Sequence, residues 1–144
     1  MPDEELLLRD LCARLPYDTI VNVDNGKYRE DMKLRPCHLA DFNTWYIKPY
    51  LRPLTSMTEK EAKKITELSG ILTSSENILS IGVKEEFIDI KIDDGVCSTE
   101  IRTLWFTEMP TSITMFDYLN TRQFDYRGLI KKGLALEAPV GMYQ

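Results

Sequence analysis

The stretch at residues 45–61 reads WYIKPYLRPLTSMTEKE, and it separates a β-rich N-terminal part of the chain from a helix. Pro49 and Pro53 each lack a backbone N–H, and each biases the residue before it, Lys48 or Arg52, toward an extended conformation. Prolines are found in sheets mainly on edge strands, because a central strand needs every backbone donor. The sequence therefore predicts an edge strand or a polyproline-like brace here.

The same stretch ends in a helix start. Thr58 and Glu61 have the spacing of a capping box, in which each side chain accepts a hydrogen bond from the other residue's free backbone N–H. An apolar stripe follows, and Gly70 stands where a left-handed residue would end the helix. We expect a helix from Thr58 to about Ser69.

Upstream of this stretch the pattern is one helix and a hairpin. Residues 3–15 have apolar side chains at helical spacing, which places Cys12 on the buried stripe as a core residue. Residues 19–23 are β-branched, and residues 27–35 alternate between charged and other side chains, so both are predicted strands. Asn25-Gly26 between them is typical of a type I′ turn.

Downstream, the pattern mixes strands and short helices. Residues 78–83 and 88–93 are predicted strands with a turn at Asp93-Asp94-Gly95, whereas residues 96–106 fit either a partner strand or a short helix. A short helix is expected at residues 115–120. A second helix is expected to begin at Asp125 and to end at Gly133, with Leu134 folding back on Leu129.

These elements predict the α+β class. We expect an N-terminal helix, a small antiparallel β unit of SH3-like or small-barrel character, a capped helix, and a second mixed lobe with short C-terminal helices. The whole chain reads as a single domain, with two lobes as an alternative: residues 1–72 and a mixed lobe at residues 73–144. The polar run at residues 73–77 is the predicted boundary.

Composition narrows the class of protein. The 144 residues carry a formal net charge of −5, and none of the three cysteines belongs to a Cys-x-x-Cys pair, so a disulfide framework or zinc ribbon is not expected. The acidic start of the chain and the lack of a long apolar run predict a soluble, cytoplasmic protein without a membrane segment. No cofactor motif is present, and we expect no cofactor.

One segment is basic against this acidic background. Residues 26–56 have cations on one predicted strand face and aromatic residues nearby, which is the mixture that a single-stranded nucleic-acid platform uses. Tyr28 is expected to point away from those cations, so charge and stacking need not share a surface. This nucleic-acid hypothesis uses residues 27–52. Its candidate contacts are Lys27, Arg29, Lys33, Arg35, Lys48 and Arg52, with Tyr28, Trp45, Tyr46 and Tyr50 as the aromatic residues nearby in sequence.

Catalytic and metal sites are predicted to be absent. His38 is the only histidine, so any catalytic triad or metal site would be built on it, with Asp41 as a conceivable partner; a loop histidine without a role is the preferred interpretation. Carboxylate pairs such as Glu85-Glu86 are better explained as solvated surface charge than as a general acid and base.

Two blocks of the sequence resemble a known family. The blocks IKPYLRPLTSMT at residues 47–58 and FDYRGLIKKGLALEAPVGMY at residues 124–143 are similar to small uncharacterised proteins from Bacteroidetes genomes, prophages and gut phages. The resemblance implies a bacterial or phage setting and an accessory function, without an established activity. Members often have histidines just before the second block, whereas this chain has Thr121-Arg122-Gln123, so no histidine-based role is carried over.

Tyr126 and Arg127 lie in the second of these blocks. An arginine between a helix-capping aspartate and a glycine could hold a carboxylate or phosphate of a ligand or partner, although pairing with a neighbouring acid is the preferred interpretation. The function favoured overall is a non-catalytic interaction or accessory protein whose partner is another protein. The alternatives are the nucleic-acid module and, last, a hydrolase using carboxylates. The sequence leaves the oligomeric state open.

Overall fold

The computed structural model describes residues 2–40, 46–72, 76–93, 99–108 and 112–143. These residues confirm the predicted α+β class, since helices and two sheets both occur. The elements in chain order are α1 (Asp3–Arg14), β1 (Ile20–Asp24), β2 (Arg29–Lys33), α2 (Pro36–Ala40), β3 (Tyr46–Leu51), α3 (Glu59–Ser69), β4 (Asn77–Val83), β5 (Phe87–Asp93), β6 (Thr99–Trp105), α4 (Ile113–Thr121) and β7 (Leu136–Glu137).

The chain divides into two compact units. The first unit comprises residues 1–53 and 119–144, and the second comprises residues 54–118. This division differs from the predicted one at 72/73, because α3 packs beside β4 and thus belongs with the strands that follow it. Residues 73–75 of the predicted boundary lie outside the described residues.

The sheet of the first unit has the order β2-β1-β3-β7. Neighbours are antiparallel except β7, which runs parallel to β3. Within the described residues this order is linear, with β2 and β7 at its two edges, so the sheet is open and does not form the SH3-like or small barrel that was expected. The cause is the return of the C-terminal residues to β3, where they occupy an edge that a barrel would close.

The prolines of residues 45–61 are accommodated by this arrangement. Pro49 lies opposite Val21 of β1, and β7 pairs only with Tyr50 and Leu51. Within the described residues, Tyr46 to Pro49 thus pair with β1 only, and Tyr50 and Leu51 pair with β7 only. The predicted edge strand is wrong for β3 as a whole, which lies between β1 and β7 in the sheet order, although Pro49 itself is paired on one side only. Trp45 lies outside the described residues.

A tyrosine hydroxyl holds β1 and β3 together at the end of their pairing. Tyr143 Oη accepts a hydrogen bond from the backbone N–H of Ile20 (3.0 Å) and donates one to the carbonyl of Tyr50 (2.5 Å). Burial raises the pKa of this hydroxyl to about 12. The hydroxyl thus bridges Ile20 and Tyr50, the residues that lie just beyond the last direct pair, Val21 with Pro49.

The buried face of α1 differs from the predicted one. Leu7, Asp10, Leu11 and Arg14 are buried, and Cys12 is exposed, so the prediction of a core cysteine is wrong. Two charged residues occupy the buried stripe because they pair with the C-terminal segment, as described below. The apolar core of this unit consists of Leu7, Leu11, Val21, Val23, Leu34, Ile47, Leu51, Leu129 and Ala135.

The hairpin of β1 and β2 is confirmed, but its turn is not of type I′. Of Asn25 and Gly26, only the glycine has a positive φ, of 89°. Asp24 pairs with Arg29, which leaves a loop of the residues between them. In that loop the Asn25 side-chain oxygen accepts hydrogen bonds from the backbone N–H groups of Lys27 (2.9 Å) and Tyr28 (3.0 Å).

His38 has a structural role, contrary to the prediction. It lies in α2, where a loop had been expected, and its side chain is buried. Its Nδ1 accepts a hydrogen bond from the backbone N–H of Arg35 (2.9 Å), and its Nε2 lies 3.1 Å from Met32 Sδ. Burial, with a smaller contribution from the Arg35 charge, lowers the pKa of the imidazole. The histidine therefore caps the start of α2 in its neutral form.

The C-terminal segment folds as turns after α4. The helix predicted to begin at Asp125 is absent from the described residues, because Gly128 adopts a positive φ of 72° and breaks the helical pattern. The predicted ending is nevertheless confirmed: the Leu134 N–H donates to the Leu129 carbonyl (3.0 Å), and the Gly133 N–H donates to the Ile130 carbonyl (3.0 Å).

In the second unit, the capping box of α3 is confirmed. The Thr58 hydroxyl accepts from the Glu61 N–H (3.2 Å), and the Glu61 carboxylate accepts from the Thr58 N–H (3.0 Å). The helix ends at Gly70, whose φ is 72°. The sheet beside it has the order β4-β5-β6, which resolves the open choice at residues 96–106: residues 99–105 are a strand, and residues 94–98, including the predicted turn at Asp94-Gly95, lie outside the described residues.

Candidate functional site

The cations predicted on β2 share one face of the first sheet with residues of β3. Residues directly opposite each other in an antiparallel pair project to the same side. Arg29 lies opposite Asp24, which in turn lies opposite Tyr46 of β3. We call the side that presents these residues the first-sheet solvent face; it consists of Ile20, Asn22, Asp24, Arg29, Asp31, Lys33, Tyr46, Lys48 and Tyr50. The structure thus brings together three of the predicted contacts, Arg29, Lys33 and Lys48, with exposed Tyr46.

Acids on or beside this face offset its positive charge. Arg29 lies 3.7 Å from the Asp24 carboxylate, and Lys33 lies 4.0 Å from that of Asp18. Asp31 accepts a hydrogen bond from the Tyr50 hydroxyl (2.9 Å). The pKa of Tyr50 is raised by burial and by this bond. The face is consequently a mixture of charges with an exposed aromatic ring, rather than a continuous basic strip.

The remaining predicted contacts are used elsewhere. Lys27 lies in the hairpin loop, and Arg35 precedes α2. The Arg52 guanidinium lies 4.4 Å from the centre of the Phe124 ring. The backbone of Arg52 also forms an isolated parallel β-bridge with Phe124. Arg52 thus connects β3 to the C-terminal segment, and the six predicted cations do not form one surface.

Tyr126 and Arg127 belong to a buried charge cluster that joins α1 to the C-terminal segment. Arg127 Nη1 donates to Asp10 Oδ1 (2.6 Å), and Arg14 Nε donates to Asp10 Oδ2 (2.9 Å). Arg14 Nη2 also donates to the carbonyl of Phe124 (2.6 Å). Asp10 and Arg14 have no exposed side-chain surface, whereas 17% of the Arg127 side chain is exposed.

The neighbours of this cluster are satisfied by the protein itself. The Tyr126 ring lies near both guanidinium groups, 5.4 Å from Arg14 and 4.7 Å from Arg127, and its hydroxyl donates to Asn120 (3.0 Å). The Asp125 carboxylate accepts two backbone N–H groups, and burial raises its pKa. These contacts support the structural interpretation of Arg127 over ligand binding.

A further surface, which the sequence pattern did not indicate, lies on the second sheet. Phe87 lies opposite Trp105, and Lys91 lies opposite Ile101, so these residues project to one side of β5 and β6. The alternate residues of β5, Ile88, Ile90 and Ile92, are fully buried. We call the side that bears Phe87, Asp89, Lys91, Asp93, Thr99, Ile101, Thr103 and Trp105 the second-sheet solvent face. Alternation along β6 was the available signal, but it does not show which side of the strand is exposed.

The described residues contain no group of three or more His, Cys, Asp or Glu side chains arranged to hold a metal ion. Over the same ranges, none of the helices combines the length and the apolar character needed to cross a membrane. No protein family, curated protein or solved structure shows significant similarity to this chain.

Proposed function

We propose that this chain is a non-catalytic binding protein whose partner is another protein, and that the partner contacts the second-sheet solvent face. The observation that carries the proposal is the exposure of large apolar side chains there: Trp105 is 41% exposed and Ile101 is 69% exposed. The two sequence blocks similar to phage and prophage proteins support a bacterial mobile-element or phage setting for this interaction.

The geometry of the aromatic residues fits a binding anchor. The rings of Phe87 and Trp105 lie 4.9 Å apart and are tilted by 54°, so they hold each other in place on the surface. Trp is enriched among the residues that dominate interface energies, because it buries a large area at a small cost in conformational entropy. This aromatic pair, on the same face as Ile101 but separated from it by Thr103, therefore offers a ready site for an apolar partner surface.

Charges around this pair indicate the chemistry of the partner. On β5, Asp89 and Asp93 flank Lys91, and the turn before β5 carries Glu85 and Glu86 beside one lysine. Acids thus outnumber bases around the apolar centre. The partner that fits is a protein surface with an apolar centre and basic side chains at its rim.

The test compares matched surface variants. Proteins captured from a lysate by the wild-type chain but not by Trp105→Ala are purified and titrated against both. We expect Trp105→Ala to weaken binding at least about tenfold, as loss of an aromatic anchor does. Ile113→Ser, which changes an 80% exposed residue on α4, is the control and should bind like wild type. Equal affinity of wild type and Trp105→Ala for every recovered protein would contradict the proposal.

A second candidate function is single-stranded nucleic-acid binding by the first-sheet solvent face. The observation in its favour is Tyr46, which is 79% exposed on the same face as Lys48 and Arg29. Anisotropy of a labelled single strand should then rise with protein at low salt, fall steeply as salt increases, and respond to Arg29→Ala plus Lys48→Ala. The control is Lys63→Ala, an exposed residue on α3. A flat titration at low salt would remove this candidate.

A further inference from the structure

The outer edge of β6 is the regular edge of the second sheet. Within the described residues β6 has a neighbouring strand on one side only, and its pairing with β5 is continuous from Thr99 to Trp105. The opposite edge strand, β4, has a register shift between Ile78 and Ser80 and contains Gly82. Bulges and irregularities protect an edge from pairing with another chain, so β6 is the edge that remains competent to pair.

The hydrogen-bond ladder shows which backbone groups of β6 face outward. The Phe106 N–H donates to the Glu86 carbonyl (3.0 Å), which makes this a hydrogen-bonded pair of the antiparallel ladder. Hydrogen-bonded and non-hydrogen-bonded pairs alternate along such a ladder. Arg102 and its alternate neighbours therefore direct their backbone groups toward β5. Thr99, Ile101 and Thr103 direct theirs toward the open edge.

We propose that two copies of this chain associate by antiparallel pairing of their β6 strands, with Ile101 of one copy opposite Ile101 of the other. This inference goes beyond the proposed function, because it stands whether or not a further protein binds the second-sheet solvent face. In this register the outward-facing backbone N–H and C=O groups of Thr99 form hydrogen bonds with those of Thr103 of the second copy. The two sheets join into one continuous sheet of six strands, three from each copy.

Charge complementarity selects this register. With Ile101 on the two-fold axis, Glu100 of each copy lies opposite Arg102 of the other, at a non-hydrogen-bonded position where facing Cα atoms are only about 4.5 Å apart. If the register is shifted so that Arg102 lies on the two-fold axis, the two copies of Arg102 face each other. If it is shifted so that Thr103 lies on the axis, Arg102 of each copy faces Leu104 of the other. Opposite charges stabilise cross-strand pairs, and like charges destabilise them.

The existing contacts of these charges are compatible with pairing. Arg102 donates to Glu76, to Glu100 and to the carbonyl of Ile71 (2.7 Å), so its guanidinium is fixed in place. Glu100 is the accessible member, with 53% of its side chain exposed. All N–H groups of each Arg102 guanidinium already donate within their own chain, so Glu100 interacts with Arg102 of the second copy through the attraction of opposite charges, without a new hydrogen bond.

The first experiment measures molar mass by light scattering on a sizing column, over a series of protein concentrations. Wild type is expected to reach twice the mass of the 16.7 kDa chain. Thr103→Pro removes an outward N–H without removing a backbone hydrogen bond to β5, and the side-chain bond to Asp89 that it loses is also lost in the Thr103→Ala control. Glu100→Arg places two arginines opposite each other. Both Thr103→Pro and Glu100→Arg are therefore expected to be monomeric where wild type is dimeric. Thr103→Ala is the matched control and should remain a dimer.

Monomeric wild type at every concentration, or dimers of both Thr103→Pro and Glu100→Arg, would overturn the proposal. Circular dichroism confirms that each variant is folded. Because Glu100 is exposed, its variant remains a test if Thr103→Pro does not fold. Trp105→Ala separates the two proposals, since it should lose the partner protein and retain the dimer.

The second experiment tests the register by oxidative cross-linking in a chain whose three native cysteines are replaced by serine. Ile101→Cys places two thiols at facing positions, where Cα atoms about 5.5 Å apart allow a disulfide. In the same register, Thr99→Cys places its two copies about 13 Å apart along the strands, which is too far for a bond. We expect cross-linked dimer from Ile101→Cys only. Equal cross-linking of both variants, or of Thr99→Cys alone, would refute the register.

Discussion

Replacing one member of the buried ion pair between Asp10 and Arg14 should strongly destabilise the first unit. In Asp10→Leu, Arg14 stays at zero exposure with a hydrogen bond to the Phe124 carbonyl but without its ion-pair partner, and its Nη1 already has no hydrogen-bond partner within the described residues. Removing one partner of a buried pair costs about 3–5 kcal/mol, because the other charge is left buried and uncompensated. Arg127 is less affected, since its side chain reaches solvent.

Replacing Arg14 as well as Asp10 tests whether the loss of stability comes from the interaction between these two residues. Arg14→Met alone leaves Asp10 bound to Arg127 and is expected to cost about 1–3 kcal/mol, through the unsatisfied Phe124 carbonyl and the lost contact with Asp10. In the double variant, Asp10→Leu with Arg14→Met, both charges of the α1 ion pair are removed, so neither is left buried without the other. We expect it to be less destabilised than the sum of the two singles by at least about 1 kcal/mol.

The assay is urea unfolding followed by far-ultraviolet circular dichroism, with the free energy of unfolding taken from midpoint and slope. The matched control is Arg9→Met on the same helix, whose pair with Glu5 spans 3.6 Å with more than half of each side chain exposed. Exposed pairs contribute at most about 1 kcal/mol. Additive costs in the double variant, or an Asp10→Leu cost no larger than that of Arg9→Met, would refute the structural role of this cluster.

Three further predictions concern single side chains. Tyr143→Phe removes the hydroxyl shared with the Ile20 N–H and should cost about 1–2 kcal/mol, because partly buried backbone groups lose their partner. His38→Gln should flatten the pH dependence of stability: the pKa of His38 is lowered from 6.5 on folding, so the wild-type chain loses stability as pH falls below 6.5, when the unfolded chain binds the proton first. Thr58→Ala should cost about 1 kcal/mol through loss of the capping box of α3.

Each of these has a control in the same unfolding assay. Tyr46→Phe, at a position on β3 that is 79% exposed, serves as the control for Tyr143→Phe, and a similar cost for both would contradict the role of the Tyr143 hydroxyl. For His38, identical slopes of wild type and variant between pH 7 and pH 5 would show that the imidazole is not held neutral. Thr55→Ala is the control for the cap; if it costs as much as Thr58→Ala, the cap contributes nothing specific.

Local rules predicted the parts of this fold that depend on neighbouring residues. Thr58 and Glu61 lie in the first turn of the helix, and each side chain accepts a hydrogen bond from the other residue's backbone N–H. Their spacing alone therefore indicated the start of α3. The alternation in β2 likewise assigned Arg29 and Lys33 to one face. The buried face of α1 could not be obtained in this way. A prediction from hydrophobic periodicity assumes that charged residues face solvent, and it therefore placed Cys12 on the buried side of α1. Instead, Asp10 and Arg14 are buried, because they bind partners that lie more than a hundred residues away in the sequence.

Long-range pairing limited the prediction of the surfaces too. Lys48 joined the face of Arg29 as expected, but Arg52 did not, because its ring contact with Phe124 depends on the return of the C-terminal segment to β3. The exposed position of Trp105 depends on which side of β6 faces the interior. Alternation shows that the two sides of the strand differ, but it does not show which side is exposed.

The division of the chain into two units has a consequence for synthesis on the ribosome. The second unit is continuous in sequence, so it can fold as soon as residues 54–118 have emerged. The first unit is discontinuous in sequence. Arg14 can bind the carbonyl of Phe124, and β3 can pair with Leu136, only after those C-terminal residues have been synthesised. Until then the apolar residues of α1 and β1 have no complete core, so the earliest residues to be made are among the last to reach their final packing.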